Sequence, residues 1–549
     1  MRGTATPPTP AAFSPSRHEP GAHGELSACR ECGTVQQLAL PSGPDLHTLY
    51  RTMSDDAYLR EERGRRATAN RLLDLLGLGA GARLLDVGCG HGLLLDEARR
   101  RGCEVVGLEL SQTAAAHARE RLGLDVREVA FEDFEDPRGF DVIVLADVIE
   151  HLDDPVGAID FCAALLRPDG ILCIVTPDPS SATARVAGAR WWGYVPAHTN
   201  LLPRATLREL LAARGLVISA DVGLVRSFSA RYWLEGLAER LGPLAGPASA
   251  LASHLPDRVA LALSLGDERV MLAHRVEVLR APEPLLADRG RGHRVCVVLP
   301  AYNAARTIPS VVAEMPVDAA DASLLGDDHS SDGTTPIALS HGLDVIRHPA
   351  NLGYGANQKT VYVRALLDGA DVVVMVHADN QYDPALVPAM VAPIVSGAAD
   401  VVIGSRLLDD HAIQGGMPRW KWVGNRLLTG IANRTFGARF SEYHTGYRAF
   451  SADFLRSIAF LRNSDEFVFD QEIFAQIAAR DARVVEVAIP TRYFLEASTV
   501  SFRESVRYAL KTLRVLARFR HDRGRGRWLL LRRPAAVVMA EAPEARRAA

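Results

Sequence analysis

The sequence predicts an α/β protein of two doubly wound domains, each a sheet with helices packed on its faces. Three observations carry that expectation. At 549 residues the chain is too long for one ordinary core, and a content of 48% hydrophobic and 23% charged residues can fill two. Residues 281–292 shift to Pro, Gly and charge without periodicity, as a linker does. On both sides of it, short apolar runs end abruptly in polar or glycine-rich turns and alternate with helical patterns. Parallel strands read this way when they deliver side chains to the carboxyl edge of a sheet.

Composition narrows the classes of function. A formal net charge of −4 gives no electrostatic case for nucleic acid. Of seven scattered cysteines, five (Cys89, Cys103, Cys162, Cys173 and Cys296) sit in apparent strands, helices or glycine turns, which reads as a reducing compartment. No apolar run approaches the roughly 18–20 residues that span a bilayer. Residues 528–540 come nearest and are broken by Arg532, Arg533 and Pro534. Met1 to Pro20 is Pro-rich without an apolar core, unlike a secretory signal. The expectation is a cytoplasmic protein that touches a membrane, if at all, peripherally from that side.

Residues 1–44 are expected to be disordered apart from Cys29-Arg-Glu-Cys32-Gly33, half of a zinc-ribbon knuckle. A structural zinc needs four ligands and no second CxxC exists, so His18 and His23 would have to complete it; otherwise the knuckle is a relic. A helical pattern from Tyr58 to Leu78 leads into the strand Arg83 to Val87 and the turn Gly88-Cys-Gly90-His-Gly92, which opens a helix, Leu93 to Arg101. Glycines let backbone approach a ligand, and the helix amino terminus offers unpaired N–H groups. Glu104 to Glu109 is a second strand ending in a carboxylate suited to a ribose diol. Glu132-Asp133 follow, then the strand Phe140 to Asp147 with Ile149-Glu150-His151 after it. Leu166 to Gly170 reads as a turn into a strand, Ile171 to Val175. His151 and His198 are candidate general bases, because imidazole titrates near neutrality; alternatively they order a loop and pack.

In order and wording these segments resemble the class I S-adenosylmethionine-dependent methyltransferases, over residues 45–280. A nicotinamide-binding unit would want GxGxxG, whereas here GxGxG follows Asp86. The resemblance implies a Rossmann-like fold in which Asp86, Gly88, Gly90 and Gly92 border the methionine part of the cofactor. Glu109 takes the ribose, Glu132 or Asp133 faces the adenine, and Asp147 closes the pocket. Leu216 to Val222 and Arg269 to Val276 would be the antiparallel pair that ends this fold.

After the linker, Val295 to Pro300 is a strand running into Ala301-Tyr302-Asn303, and Leu324 to Asp328 ends in two adjacent carboxylates. Asn351 to Asn357 suits tight backbone contacts, and Lys359 could sit against phosphates. Val372 to Val376 ends in His377-Ala-Asp379-Asn-Gln381-Tyr-Asp383-Pro384. If the extended chain continues, His377, Asp379 and Gln381 share one side. Ala399 to Arg406 gives a further strand, and the alternation with helices predicts a parallel sheet.

This series resembles the family 2 glycosyltransferases of the GT-A nucleotide-diphospho-sugar fold, close to the polyprenyl-phosphate mannose or glucose synthases, over residues 293–520. The resemblance implies that Pro300, Tyr302, Asp327 and Asp328 hold the nucleotide base and ribose. Asp379 and Gln381 would hold a divalent cation, magnesium or manganese, on the diphosphate. Where the family carries an acidic residue two positions before the metal aspartate, this chain has His377, which suits manganese better or stands behind the ligands. Arg448, Arg492 and Ser498 are the candidates for an acceptor phosphate. If the acceptor is a sugar hydroxyl, Asp383, Asp470 or Glu472 must deprotonate it; a lipid phosphate needs no strong base.

Ser505 to Arg520 reads as an amphipathic helix that lies on a membrane or packs on its own domain, and residues 521–549 as a disordered tail. The function expected is a bifunctional transferase for cell-surface glycan or glycolipid synthesis. It would move a sugar from a nucleotide donor to a polyprenyl phosphate or glycan, and a methyl group from S-adenosylmethionine. The alternatives are a nucleotidyltransferase second half, which would want a Gly-rich, Arg-containing loop where Pro300-Ala-Tyr-Asn303 stands, or one inactive half serving as a ligand-binding regulatory module.

Overall fold

The computed structural model describes residues 23–38, 48, 50–52, 58–238, 260–286, 290, 292–409, 417–490, 502–522 and 525–534. The chain divides into two compact units, Met1–Leu211 with Ile218–Arg275, and Ala212–Val217 with Val276–Ala549. His18, Arg492 and Ser498 lie outside the described residues.

The strands before residue 276 are β1 (Leu26–Ala28), β2 (Val35–Gln37), β3 (Arg83–Val87), β4 (Glu104–Leu108), β5 (Val126–Arg127), β6 (Phe140–Ala146), β7 (Leu166–Pro177), β8 (Asn200–Leu201), β9 (Leu216–Gly223), β10 (Arg226–Ser229), β11 (Ala260–Leu263) and β12 (Glu268–Arg275). Seven of them form one sheet in the order β5-β4-β3-β6-β7-β12-β9. Strands β5 to β7 run parallel, and β12 returns antiparallel on β7. The central strand β3 is buried at every residue, as an apolar run covered on both faces should be. Helix α1 (Glu62–Leu76) buries Ala69, Leu72, Leu73 and Leu76 at helical spacing and stops at Gly77, which takes the left-handed conformation. Helix α2 (Leu93–Arg100) follows the glycine turn. The turn expected over Leu166–Gly170 is absorbed into β7: a register irregularity opposite Phe140–Val142 and a left-handed Asp169 mark a bulge.

The cysteine knuckle is the tip of the β1–β2 hairpin, and β8 adds a third strand to it. The Cys32 thiol pairs with Thr34 Oγ1 at 3.0 Å, and His23 turns to the carbonyl of Gly24 and the edge of Tyr194. Among the described residues no metal-ligating group of three includes Cys29, Cys32 or His23.

The second unit's sheet takes β13 (Val278–Leu279), β14 (Val295–Ala301), β15 (Ala322–Asp327), β16 (Asp344–Arg347), β17 (Val372–Met375), β18 (Val401–Ser405), β19 (Arg448–Ser451) and β20 (Val484–Ala488), in the order β13-β16-β15-β14-β17-β19-β18-β20. The expected parallel sheet is mixed. β19 lies antiparallel between β17 and β18, and β13 antiparallel at the edge on β16. The helices that matter here are α3 (Tyr354–Leu367), α4 (Arg419–Phe436), α5 (Phe469–Arg480) and α6 (Phe502–Asp522). Residues 525–534, expected in the tail, pack back on this unit: Asp522 accepts the N–H groups of Arg527 and Trp528, and Trp528 and Leu530 are buried. No described helix is long and apolar enough to cross a membrane.

Candidate functional site

In the first unit, the carboxyl ends of β3, β4 and β6 open into a cavity of about 1090 Å³. Gly88, Gly90 and Gly92 all take left-handed φ angles (69°, 54° and 80°), which a side chain would strain. A Cβ on Gly90 would project toward Tyr58 across the opening, so the bare backbone forms a cradle. Glu109 accepts the N–H of Gly90 and of Ser111, both at 2.7 Å, and so fixes the glycine turn against the end of β4. Asp86 is buried beside it. Loss of solvent, with the Glu109 charge near, pushes its carboxyl up to about 8. Of the alternatives Glu132 and Asp133, only Glu132 lines the cavity.

Asp147 does not stand alone at the rim. Arg226 on β10 grips both its oxygens, at 2.7 and 2.6 Å, and also holds Glu268. Behind it, Glu150, His151 and His198 each bring one ligating atom within 4.8 Å of the others. They are the one group of three among the described residues with the geometry to hold a metal ion. His151 Nδ1 faces the carbonyl of Ala197 at 2.9 Å, and His198 Nδ1 faces that of Gly193 at 2.7 Å. A carbonyl only accepts, so both rings carry their proton on Nδ1, and Nε2 is the nitrogen left unprotonated. Tyr50 Oη lies 2.8 Å from the same His151 nitrogen. Glu150 is fully buried, and burial holds its carboxyl well above the usual range. Thr176 donates to one of its oxygens; the other has no hydrogen-bond partner. Asp267 fixes the far wall by accepting the indole N–H of both Trp191 and Trp192.

In the second unit, extension stops at Val376, and Asn380 takes a left-handed φ of 59° that turns the chain. The strand alternation expected over His377, Asp379 and Gln381 therefore breaks. Half-buried Asp379, just past the end of β17, accepts the backbone N–H of Gln381 at 3.0 Å. The His377 ring goes elsewhere. Its Nε2 lies 3.0 Å from Tyr354 Oη and close to Gly446, where a Cβ would come within 2.1 Å of it. Burial lowers its pKa and keeps the imidazole neutral. Of the expected metal set, His377 thus has its Nε2 engaged by Tyr354, while Asp379 and Gln381 offer oxygens, the donors a hard divalent cation takes.

Tyr354 continues the chain of contacts to Asp470 (3.3 Å), which is ion-paired with Arg448 at 2.8 Å. Arg448 was expected on an acceptor phosphate. It opens β19 in the middle of the sheet, is wholly buried, and donates to Asp470 and the Thr445 carbonyl. Lys359 likewise has partners within the unit: its ammonium donates to Asp465 and to the carbonyl of Asn463. Asp327 accepts from Ser330 N and Thr335 Oγ1, and Asp328 from Leu352 N, Gly353 N and His348. Both are buried and hold two turns in place. Tyr302, 56% exposed just beyond Pro300, is the member of the expected nucleotide set that faces outward. Asp383 caps the turn Pro384–Leu386, and Glu472 accepts Ser464 N, so each has a structural partner. Tyr354, Arg226 and Asp267 carry no sequence signal as site residues, because the side chains they meet are 23 or more positions away on separate elements.

Comparison with known proteins bears on both halves. Residues 59–220 match the model of a methyltransferase domain, and residues 296–459 that of glycosyl transferase family 2. A ubiquinone biosynthesis O-methyltransferase of Rhodopseudomonas palustris is 31% identical over 28% of this chain, which spans 66% of that enzyme's length. The Bradyrhizobium diazoefficiens enzyme of the same name is 32% identical over 32% of this chain and 74% of its own. Among solved structures, a glucosyl-3-phosphoglycerate synthase from Mycobacterium tuberculosis bound to UDP is 19% identical, with a TM-score of 0.34 over 42% of this chain and 81% of its own. The chain belongs to the methyltransferases through its first half, and its second half carries a glycosyl transferase family 2 domain, so one chain joins the two kinds of domain.

Proposed function

We propose that the second half transfers a sugar from a nucleotide donor to a polyprenyl phosphate or glycan with the help of a divalent cation. The first half would methylate the same glycan or glycolipid, at a membrane surface. The observation that carries the reading is the placement of Asp379 and Gln381 past the carboxyl end of β17, with Tyr302 outward just past the end of the neighbouring β14. Asp379 and Gln381 would hold the cation, which when bound neutralises charge building on the departing diphosphate. Asp327 and Asp328 hold the nucleotide-side turns, and the His377–Tyr354–Asp470–Arg448 chain keeps the sheet edge rigid around Asp379. A screen of UDP-, GDP- and dTDP-sugars against polyprenyl phosphate, with manganese or magnesium, tests this. Product from one donor supports it, and hydrolysis or transfer that ignores both cations counts against it.

For the first half, S-adenosylmethionine fits the residues present: a glycine cradle, a carboxylate at the end of β4 and a buried Asp86. The cofactor supplies a methyl group open to direct displacement. His151 Nε2 takes the acceptor's hydroxyl proton, while the Ala197 carbonyl holds the ring's orientation. His151→Ala should lower turnover about a hundred- to a thousandfold with cofactor affinity unchanged. Unaltered turnover would remove His151 from the reaction.

Cofactor binding should depend on pH through Asp86. In the empty unit the neutral carboxyl is the favoured form. Its contribution to stability is complete below the ordinary carboxylate range and is lost as pH rises toward about 8. A sulfonium and an ammonium favour the ionised form, so affinity should rise between about pH 6 and 8, with a proton released on binding. Asp86→Asn should abolish the slope; a slope that survives it contradicts the placement.

A further inference from the structure

Helices of the second unit carry apolar residues on the side where a surface helix is normally polar. In α4 the inward face is Asn425, Thr429, Ala432 and Phe436. At 100° per residue, Trp420, Val423, Leu427 and Ile431 lie opposite them, and all four are exposed, Leu427 to 64%. The pattern repeats in α6, where Thr512, Val515, Leu516 and Phe519 face inward. Val506, Leu510 and Leu513 face out, with Leu510 at 56%. α6 thus has two apolar faces, one packed and one exposed. α4 and α6 are neighbours, and Phe436 meets Phe519 edge-on with ring centroids 4.9 Å apart.

Charge on these helices has one dominant sign. α4 carries Arg419, Lys421, Arg426 and Arg434 and no acidic residue, and α6 sets Arg507, Lys511, Arg514, Arg518 and Arg520 among its apolar residues. In a chain of net charge −4 this is a local concentration of positive charge. Apolar stripes flanked by arginine and lysine, on helices that cannot span a bilayer, match an anionic phospholipid surface.

The inner side of α6 reaches the site already described. Tyr508 Oη accepts from Gln471 Nε2 at 2.8 Å and meets His444 Nδ1 at 3.3 Å, and Gln471 adjoins Asp470 of the Arg448 pair. A surface held against α6 therefore stands close to the acceptor side of the sheet edge.

We infer that α4 and α6 together form an in-plane docking face for an anionic phospholipid bilayer, which delivers a lipid-linked acceptor to the glycosyltransferase half. The delivery rests on the proposed lipid acceptor, whereas the docking can be measured without turnover. The full chain should float with phosphatidylcholine vesicles that contain phosphatidylglycerol, be released by salt, and ignore vesicles of phosphatidylcholine alone. Leu427→Glu with Leu510→Glu should reduce the bound fraction about tenfold or more, with melting temperature and transfer to a short water-soluble acceptor unchanged. Arg507→Glu with Arg514→Glu should remove the response to phosphatidylglycerol while leaving the stripes intact. Native chain that stays off anionic vesicles, variants that bind as well as native, or stripes that instead pair two copies in sedimentation would each overturn the inference. Failure of transfer to the soluble acceptor in a chain that floats normally would count against the acceptor reading alone.

Discussion

Asp379→Ala is expected to lose cation-stimulated sugar transfer by about a thousandfold or more, because preorganised charge on a leaving diphosphate is among the largest contributions to such a rate. The carboxylate is half-buried and makes one local hydrogen bond, to Gln381 N, so the melting temperature should barely move. Asp379→Asn separates charge from shape: the amide oxygen still accepts from Gln381 but carries no charge, and activity should fall nearly as far. His377→Ala should behave differently. Its Nε2 engages Tyr354, so the variant should keep its response to cation and lose about tenfold in kcat through a looser site edge. Initial rates over a manganese and magnesium titration distinguish these outcomes. An Asp379→Ala chain that still responds to cation would move the site elsewhere.

Arg448→Met should act on stability first. It removes the partner of Asp470 inside the sheet, and breaking a buried ion pair from one side costs about 3–5 kcal/mol. Pairing it with Asp470→Leu should recover much of that loss, since no isolated charge then remains. Chemical denaturation of the two variants and the native chain measures both effects. The expectation that Arg448 binds acceptor phosphate at a surface predicts the opposite pattern, a raised KM for acceptor with an unchanged midpoint. Its complete burial favours the stability effect.

Much of the fold was legible because its signals are local. The run Arg83 to Val87 followed by three glycines names a strand, a turn and a helix within about a dozen residues, and Glu109 closes the next strand by the same logic. What was not legible depended on distant partners. Nothing within a window around Arg448 says that β19 will insert antiparallel between β17 and β18, and that insertion turns an expected surface arginine into a core one. Asn380 is a subtler case: asparagine tolerates the left-handed region, but only the surrounding chain decides that it goes there. Lys359 reads as a phosphate ligand by type, and its carboxylate partner, Asp465, is 106 positions away. Residue pattern thus placed the sheet edges and the kinds of group upon them. Which groups remain available for ligands was set by pairings between elements remote in sequence.

Asp379, just past the end of β17, is the proposed holder of a divalent cation. Calorimetry of UDP- and GDP-sugars binding to the full chain, with and without manganese or magnesium, reads this most directly. Binding that tightens about tenfold or more with one of the cations, and no longer does so in Asp379→Ala, is the predicted result. Equal affinity for every nucleotide sugar with either cation or none would contradict it.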